Sequence, residues 1–222
     1  MDERPAAGYR MLWALLRQDG LLLNHKKVYR LYKANQWALP AKTRKRLKSE
    51  GRGLPEPATR PQEEWSLDFL HDALCDGRAF RILNVVDTFT RQALAIECDT
   101  SLSGERVVRV LEALRLQKGI PKRLRIDNGP EFRSKALDVW AKTYGVTLCF
   151  IAPGKPTQNG TVESFNGTFR RECLDQEWFV SLDQASETIE AWRVAYNTRR
   201  PHSSLGYLPP DVWAQQFKPL YF

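Results

Sequence analysis

The sequence predicts an α/β fold in which helices cover a mixed sheet, with a small pair of basic helices ahead of it. Three strand-like segments follow one another after residue 63, and two further strands then alternate with helices. Consecutive strands tend to pair antiparallel, whereas strands joined through helices run parallel, so one sheet should contain both kinds of pairing. A concentration of positive charge before residue 63 sets the N-terminal part apart.

Short apolar runs separated by turn signals predict the strands, and apolar residues at helical spacing predict the helices. The predicted strands cover residues 65–70, 79–86, 93–98, 124–126 and 146–151. The predicted helices of this part cover residues 104–118, 134–144, 161–173 and 182–197.

Length and composition exclude several classes of protein. The chain has 222 residues, of which 42% are hydrophobic, enough to bury a core of ordinary size. No stretch approaches the roughly 18 to 20 apolar residues of a membrane span, and the first ten residues lack the apolar region of a signal peptide. We therefore expect a soluble, intracellular protein.

The cysteines give no sign of a disulfide framework or a zinc site. There are four of them, widely separated, with no CxxC pair and no histidine at ligand spacing: Cys75, Cys98, Cys149 and Cys173. We expect reduced core thiols and no structural metal bound by them.

Positive charge is concentrated at the N-terminus. Residues 1–62 contain 14 basic and 5 acidic residues, whereas the remaining residues contain 20 basic and 21 acidic ones. Such an excess is typical of a segment that binds a polyanion, although a solvated surface with a basic bias remains an alternative.

Two short helices are predicted within this basic part. Apolar residues from Met11 to Leu16 mark the first helix, and Asp19-Gly20 ends it. Asn24 is placed as the N-cap of the second helix, whose apolar stripe is Val28, Leu31 and Tyr32. The exposed side of the second helix would then consist of His25, Lys26, Lys27, Arg30 and Lys33. This arrangement is typical of a helix-turn-helix, but a helical hairpin with only a packing role would look the same.

A basic linker is predicted after the helix pair. Residues 42–52 contain six basic residues and one acidic residue, and three prolines follow by residue 61. We expect this linker to follow DNA phosphates, through Lys42, Arg44, Lys45 and Arg46 in particular, and to mark a domain boundary.

Three acidic residues stand where a carboxylate is unusual. Asp68 interrupts the apolar strand WSLDFL, Asp127 ends a strand and opens the turn DNGPEF, and Glu163 lies near the start of a helix. Because burying a lone carboxylate is costly, these side chains either face water or converge on a cation. Carboxylate oxygens suit Mg²⁺ or Mn²⁺, and two such ions about 3.5 to 4 Å apart can promote phosphodiester displacement. The residues alone leave both interpretations open.

The spacing and the surrounding motifs resemble a known family. Thirty-five residues separate Asp127 from Glu163, and with Asp68 upstream this resembles the D, D(35)E triad of DDE transposases and retroviral-type integrases. The motifs WSLDFL, NVVDTFTR, RIDNGPEF, GKPTQNGTVESFNGTFRRECLD and YNTRRPHSSLGYLPP look like those of the OrfB-type transposases of bacterial insertion sequences. The resemblance covers about residues 63–215. Residues 8–40 resemble, less specifically, the helix-turn-helix that precedes this core in the family.

The resemblance implies a ribonuclease-H-like core with a mixed five-stranded sheet flanked by helices. It also implies four regions: a helix-turn-helix DNA-binding region at 1–40, a basic proline-containing linker at 41–62, the catalytic core at 63–180, and a C-terminal helix and tail at 181–222.

The resemblance further implies a catalytic site formed by Asp68, Asp127 and Glu163. These residues would hold Mg²⁺ or Mn²⁺, with two ions present when DNA is bound, and no organic cofactor would be needed. The expected partner is DNA, both the element ends and the target, bound by a homo-oligomer. We expect the protein to be cytoplasmic in a bacterium and associated with the nucleoid, with no membrane contact.

The helix that contains Glu163 should present two neighbouring faces. Val162, Phe165, Phe169 and Cys173 share one face, which should pack on the sheet. Glu163, Asn166, Gly167 and Arg170 share the other, which would then look into the active site. In addition to Arg170, the preceding loop supplies predicted DNA contacts at Lys155, Gln158 and Asn159.

Five other polar residues have less certain roles. Asp87 fits an Asx-type turn better than a metal ligand, and we expect His71 to be a surface residue and Glu131 not to be a ligand. Asn128 fits a turn and an orienting role equally well. His202 fits a DNA contact or a turn cap, and the sequence does not decide between them.

The sequence therefore predicts a transposase that cleaves DNA at insertion-sequence ends and transfers the resulting strand, without a covalent protein intermediate. Two alternatives are kept: a non-catalytic DNA-binding regulator or inactive remnant, and a stand-alone nuclease of the ribonuclease H type. Because the chain begins close to the helix pair, we expect full activity to need a longer, frameshifted product.

Overall fold

The computed structural model of the protein describes residues 7–37, 56–152 and 159–217. These residues form a helix pair followed by a three-layered α/β core. The helices are α1 Tyr9–Gln18, α2 His25–Ala34, α3 Gly104–Lys118, α4 Lys135–Tyr144, α5 Gly160–Glu172, α6 Leu182–Thr198 and α7 Pro210–Ala214. The strands are β1 Glu64–Ala73, β2 Ala79–Asp87, β3 Ala93–Asp99, β4 Arg123–Ile126 and β5 Thr147–Phe150.

The five strands form one mixed sheet in the order β3-β2-β1-β4-β5. β1 pairs antiparallel with β2, and β2 pairs antiparallel with β3. β1 pairs parallel with β4, and β4 pairs parallel with β5. The prediction of an α/β fold with a mixed five-stranded sheet is confirmed.

Each face of the sheet has its own apolar core. On one face, α3 and α4 cover the inward side chains of β1 and β4, among them Trp65, Leu67 and Leu124. On the other face, α5 and α6 cover Phe80, Ile82 and other side chains of β2. Because successive residues of a strand point to opposite faces, Asp68 lies on the α5 side, next to Leu67 on the α3 side.

Close backbone packing joins α3 to α4. The N-caps Ser103 and Ser134 accept hydrogen bonds from backbone N–H groups in the first turns of these helices. Gly104 lies so near the start of α4 that a Cβ atom on it would be 2.1 Å from Ser134 Oγ and 2.9 Å from the backbone oxygen of Glu131. This contact fixes the start of α3 against the segment that follows Asp127.

The helix pair ahead of the core packs through few side chains. Asn24 caps α2 by accepting a hydrogen bond from the backbone N–H of Lys26 at 2.9 Å, as predicted. Val28 and Tyr32 are buried, but Leu31 is 48% exposed, so its assignment to the buried stripe is wrong. α1 covers Val28 and Tyr32, which lie four residues apart on one face of α2. Leu31 lies beside that face and is left exposed.

Two further expectations need correction. His25 is half-buried rather than exposed, because its ring meets the ring of Trp13 edge-on at 6.0 Å between centroids. The four cysteines are free, but only Cys173 is a buried core thiol; Cys98 and Cys149 are half-buried, and Cys75 is exposed in the turn between β1 and β2.

Substituting Gly104 with alanine should destabilise the protein. The added Cβ would overlap Ser134 and a backbone carbonyl that cannot move aside easily, so we expect a loss of about 1–3 kcal/mol in the free energy of unfolding. Urea-induced unfolding measures this change.

Gly167→Ala is the matched control, because its Cβ would meet only the flexible end of Arg171, at 3.4 Å. An alanine inside α5 should stabilise by up to about 1 kcal/mol. Equal effects of the two substitutions would contradict the close packing of α3 on α4.

Candidate active site at the carboxyl end of the sheet

Neighbouring parallel strands place two of the three predicted carboxylates at the same level. The register pairs Ser66 of β1 with Arg125 of β4. Continued by two residues, it places Asp68 level with Asp127 on strands about 4.8 Å apart. Asp127 follows directly after β4, so its carboxylate lies at the carboxyl end of the sheet.

Helix α5 supplies the third carboxylate. Val162, Phe165 and Phe169 are buried against the sheet, and Cys173 joins the same cluster after the helix ends. The predicted packing face of this helix is confirmed. Glu163 lies in the first turn of α5 and is exposed.

Both other predicted carboxylates act on the pKa of Asp68. Burial raises the pKa of Asp68 from its usual 3.8 to about 6, and the negative charges of Asp127 and Glu163 contribute to this rise. The backbone N–H of Phe69 and the side chain of Asn166 act in the opposite direction, since both donate hydrogen bonds to the ionised form.

Two side-chain amides, linked by a hydrogen bond, orient Asp68. Asn166 Nδ2 donates to Asp68 Oδ2 at 2.7 Å, and the backbone N–H of Phe69 donates to Asp68 Oδ1 at 2.9 Å. Asn166 in turn accepts at Oδ1 from Asn84 Nδ2 at 2.7 Å. Asn84 lies opposite Asp68 in the β1–β2 ladder and is fully buried, so the second amide is held inside the core.

A glycine turn holds Asp127. The backbone N–H of Gly129 donates to Asp127 Oδ1 at 2.8 Å. A Cβ atom on Gly129 would lie 2.9 Å from the same oxygen and 3.3 Å from Glu131 Oε2. Any side chain at position 129 would therefore press on the carboxylate.

Glu131 is near this turn but is neutralised by Arg81, whose guanidinium donates to it. Arg81 also lies over the ring of Phe69, 4.5 Å from its centroid. Asn128 bridges two segments, since its Nδ2 donates to the backbone oxygen of Ile151 at 2.7 Å. This contact joins the segment after β4 to the segment after β5, and the turn and orienting roles of Asn128 both stay predictions.

The predicted DNA contacts occupy different environments. Lys26, Lys27 and Arg30 are exposed on α2. Asn159 is only 4% exposed and accepts a hydrogen bond from the Ser66 hydroxyl. Arg170 donates to the backbone oxygen of His71 at 2.7 Å and forms salt bridges to Asp72 and Asp175. The remaining predicted contacts, Lys42, Arg44, Lys45, Arg46, Lys155 and Gln158, lie outside the described residues.

Three residues with uncertain roles can now be placed. Asp87 is buried and accepts hydrogen bonds from the backbone N–H groups of Phe89 and Thr90 at 2.9 and 2.8 Å, which confirms the Asx-type turn. His71 is exposed, as expected, but it lies within β1 rather than in a loop. Burial and the nearby guanidinium groups of Arg200 and Arg91 lower the pKa of His202 to about 3.

His202 is therefore neutral at physiological pH. Its backbone carbonyl accepts from Leu205 and Tyr207 at 3.0 and 2.7 Å, and its ring meets Tyr196 edge-on at 4.8 Å. These contacts show the turn role for His202.

Two buried polar residues were not predicted from the sequence. Asn84 is one of them, although a single Asn within the apolar strand AFRILNVVD could have signalled it. The other is Glu64, which receives hydrogen bonds from Arg123 and Arg125. Burial alone would raise the pKa of Glu64, but these two arginines outweigh it and hold the pKa below its usual value. Glu64 therefore pairs with cations and does not join the carboxylate site.

Two negative observations apply to the described residues. No group of three or more His, Cys, Asp and Glu side chains there is arranged closely enough to hold a metal ion as it stands. In the same three stretches, none of the helices combines the length and apolar character needed to cross a bilayer.

Comparison with known families agrees with this fold. Two models described as integrase core domain match residues 58–156 and residues 144–210, and a model described as HTH-like domain matches residues 1–46. The fold and the site thus define a protein with an integrase core domain preceded by an HTH-like domain.

Curated relatives of the chain include insertion-element proteins. The chain is 46% identical to an uncharacterized 31.7 kDa protein of insertion element IS407 from Burkholderia multivorans, over 97% of this chain and 78% of that protein. It is 44% identical to a 39.2 kDa protein of IS476 from Xanthomonas euvesicatoria, over 95% of this chain and 61% of that relative. It is 29% identical to transposase InsD of IS2 from Escherichia coli, over 97% of this chain and 76% of that protein. The chain belongs to the insertion-sequence transposases of the integrase family, and this membership implies a protein that acts on DNA.

Solved structures with the same fold come from retroviruses. The catalytic core domain of HTLV-2 integrase in complex with magnesium has a TM-score of 0.57 at 17% identity, over 72% of this chain and 97% of that one. A chain of a simian T-cell lymphotropic virus intasome has a TM-score of 0.64 at 16% identity. The match covers 97% of this chain and 76% of that one. These similarities confirm the ribonuclease-H-like core.

The charges and hydrogen bonds that act on Asp68 predict how its pKa responds to substitution. Asp127→Asn and Glu163→Gln each remove a nearby negative charge and should lower this pKa from about 6. Asn166→Ala removes a hydrogen bond to the ionised form and should raise it. An NMR titration of the Asp68 carboxyl carbon in metal-free protein measures these shifts.

Asp138→Asn is the control, because Asp138 is an exposed carboxylate on α4 and is not among the charges that act on Asp68. A pKa that stayed at the wild-type value in both Asp127→Asn and Glu163→Gln would show that the three carboxylates do not interact.

Proposed function

We propose that the protein is a DDE polynucleotidyl transferase that cleaves DNA at insertion-sequence ends and transfers the strand to target DNA. Asp68, Asp127 and Glu163 are the proposed catalytic residues. The observation that carries the proposal is the register of an integrase core that puts Asp68 level with Asp127 on neighbouring strands, with the charges of Asp127 and Glu163 both contributing to the raised pKa of Asp68. Such pKa shifts are typical of functional sites.

The donor set fits a divalent cation. Three carboxylates that repel one another gain most from a shared cation, and their hard oxygens match Mg²⁺ or Mn²⁺. The HTLV-2 integrase core was solved with magnesium, which agrees with this choice. We propose two ions when DNA is bound; the metal would activate the attacking oxygen and neutralise charge on the phosphate.

The chain's own residues supply orientation. Asn166 and the Phe69 N–H hold the two oxygens of Asp68, and the Gly129 N–H holds one oxygen of Asp127. Glu163 is exposed on α5 and free to reorient toward the other two carboxylates. Closing the ligand cluster therefore requires movement of Glu163 rather than of the sheet.

DNA binding is proposed for the N-terminal region, the linker and the core. Lys26, Lys27 and Arg30 on α2 would contact element-end DNA from the region 1–40, and the basic linker 41–62 would follow phosphates. In the core 63–180, Lys155, Gln158, Asn159 and Arg170 remain candidates; Arg170 would have to exchange its acidic partners for phosphate. The similarity to an intasome chain favours a homo-oligomer on DNA.

A non-catalytic DNA-binding regulator is less consistent with the site. Three carboxylates close together would repel the phosphates of DNA unless a cation lay between them. A stand-alone nuclease would share the carboxylates but would not need the HTH-like domain. An assay that separates hydrolysis from strand transfer distinguishes the nuclease from the transposase.

Substituting either Asp127→Asn or Glu163→Gln should abolish Mg²⁺-dependent cleavage and strand transfer on end-sequence DNA. We expect a loss of more than about 100-fold, because even hydrogen-bond partners of metal ligands contribute about 10- to 100-fold. Product analysis on sequencing gels measures both reactions, and a gel-shift assay measures DNA binding, which should persist.

Asp138→Asn on α4 serves as the matched carboxylate control and should keep full activity. Undiminished cleavage by Asp127→Asn would overturn the proposal. Absence of cleavage in the wild type, with intact DNA binding, would favour the regulator.

Mn²⁺ should raise the melting temperature more at pH 7.5 than at pH 5. Metal binds the ionised carboxylates, and the pKa of Asp68 is about 6, so protons compete with metal at pH 5 and not at pH 7.5. A free Mn²⁺ concentration of 100 times the Kd of the site would stabilise the fold by about 2.7 kcal/mol. Differential scanning calorimetry with Mn²⁺ and with EDTA measures the difference.

The increase in melting temperature that Mn²⁺ causes should disappear in Asp127→Asn. An increase of equal size at the two pH values, or one retained by that variant, would show that the metal binds elsewhere.

A further inference from the structure

A cavity lies between the N-terminal helix pair and the core. It has a volume of about 670 Å³, and its walls come from the start of α1, from α5 and from the segment that follows α6. Trp13 of α1 meets the ring of Tyr207 edge-on at 6.0 Å between centroids, and Tyr207 lines the cavity. The helix pair therefore touches the C-terminal segment next to this space, which we call the α1–α5 cavity.

The α1–α5 cavity is on the other side of α5 from the carboxylate site. Thr161 and Thr168 line the cavity, whereas Asn166 donates to Asp68. With about 100° of rotation per residue, Glu163 points about 160° away from Thr161. One face of α5 thus belongs to the candidate active site and the opposite face to the cavity.

Positive charge lines the cavity without a matching negative charge. Among the described residues that form its walls, three are arginines and none is acidic: Arg10, Arg91 and Arg200. Arg200 is paired with Glu172. Arg10 and Arg91 form no salt bridge in the described part of the chain; Arg10 donates to a tyrosine hydroxyl at 3.1 Å and Arg91 to the Thr161 hydroxyl at 2.6 Å.

Arg91 is held in an unfavourable environment for a cation. Burial lowers the pKa of Arg91, and the nearby groups Tyr196 and Asp87 do not outweigh this effect. Its φ of 63° lies in the left-handed region, which favours glycine or asparagine over arginine. A half-buried guanidinium of this kind is stabilised by an anion that pairs with it.

His202 shows that the fields of two arginines overlap in the cavity. This histidine lines the cavity, and the positive charges of Arg200 and Arg91 add to burial in lowering its pKa. Both guanidinium groups therefore act on the same side chain. A positive potential of this kind attracts an anion.

The donors in the cavity match a phosphate group. Guanidinium groups bind phosphate oxygens in pairs, and hydroxyl groups donate to the oxygens that remain. Hydroxyls of Thr161, Ser164 and Ser204 line the same cavity as the arginines. The cavity therefore offers a phosphate both positive charge and hydrogen-bond donors.

A neighbouring cavity differs in its charge. It has a volume of about 590 Å³ and also reaches Arg91, but Glu56 and Glu64 are among its lining residues. Arg125 in that cavity is already paired with Glu64. The α1–α5 cavity is therefore the one that suits an anion.

We propose that the α1–α5 cavity binds a phosphate group between Arg10 and Arg91. Because Arg10 belongs to α1 and Arg91 to the turn before β3, the bound phosphate would tie the helix pair to the core. A DNA strand and a free phosphate ion present the same oxygens to these side chains. The inference goes beyond the proposed function, since it concerns the other face of α5 and needs no metal.

The test titrates inorganic phosphate into the metal-free, full-length chain. NMR of the ring C–H groups measures binding at His202, with His25 and His71 as references that do not line the cavity. We expect a saturable shift at His202 and a rise in its pKa, because the anion offsets the two arginine charges. Sodium chloride at the same ionic strength should not produce a saturable shift.

Variants on the two walls test the assignment. Arg91→Gln should weaken phosphate binding by about 10- to 100-fold, the loss expected for a charge-assisted hydrogen bond, and Arg91→Lys should lose less. Arg10→Gln should also weaken binding, and it decides the outcome if Arg91→Gln fails to fold, because Arg10 is exposed. Arg109→Gln is the control, since Arg109 is exposed on α3 and does not line the cavity; it should bind phosphate as the wild type does.

A second arm identifies the source of the phosphate. If the group belongs to DNA, a short end-sequence duplex should displace the free ion. Arg91→Gln should then reduce the slope of log K for the duplex against log salt by about 0.9. If the duplex leaves the affinity for inorganic phosphate unchanged, the cavity binds the free ion.

Phosphate binding that is unchanged in both Arg91→Gln and Arg10→Gln would overturn the proposal. An equal loss in Arg109→Gln, or an equal response to chloride, would do the same. All these measurements are made without metal, so they do not depend on whether the carboxylates catalyse DNA cleavage.

Discussion

The half-buried carboxylate of Asp68 is the constraint on which the rest of the site depends. Burial, together with the charges of Asp127 and Glu163, raises its pKa, so the fold has to hold an unfavourable anion in place. It does so with two directed donors, the Phe69 N–H and Asn166. The Gly129 N–H holds Asp127 in the same way. Other acidic groups nearby are matched with arginines, as Glu64 and Glu131 are.

The C-terminal segment contributes to this site by fixing α5. Trp192 and Tyr196 of α6 pack against Phe165 on α5, and Arg200 forms two hydrogen bonds with Glu172 near the end of α5, at 2.7 and 2.8 Å. These contacts place α6 in the same apolar cluster as the helix that contains Glu163. The helix predicted within the region 181–222 thus packs in the core around the site.

The sequence predicts much of the fold and less of the site's surroundings. The amphipathic spacing of Val162, Phe165 and Phe169 is local information, and it identifies the buried face of α5 correctly. The link from Asn84 through Asn166 to Asp68 depends on strand register and on the docking of α5, neither of which local spacing determines. Leu31 shows the same limit, because periodicity marks an apolar face without showing how much of it a neighbouring helix covers. The prediction that Asp68, Asp127 and Glu163 form one site came from the resemblance and the motif spacing. Physical chemistry alone left the alternative of three solvent-exposed carboxylates open.

The central position of β1 divides the site into a rigid part and an adjustable part. β1 is hydrogen-bonded to β2 along its whole length and to β4 over Glu64–Ser66, so Asp68 is held by the ladder with β2 and lies two residues beyond the ladder with β4. Glu163 depends instead on the tilt of a single helix, which rests on side-chain packing. Any change in the distance between Glu163 and Asp68 would therefore come from the inclination of α5, while the strand geometry acts as an invariant reference.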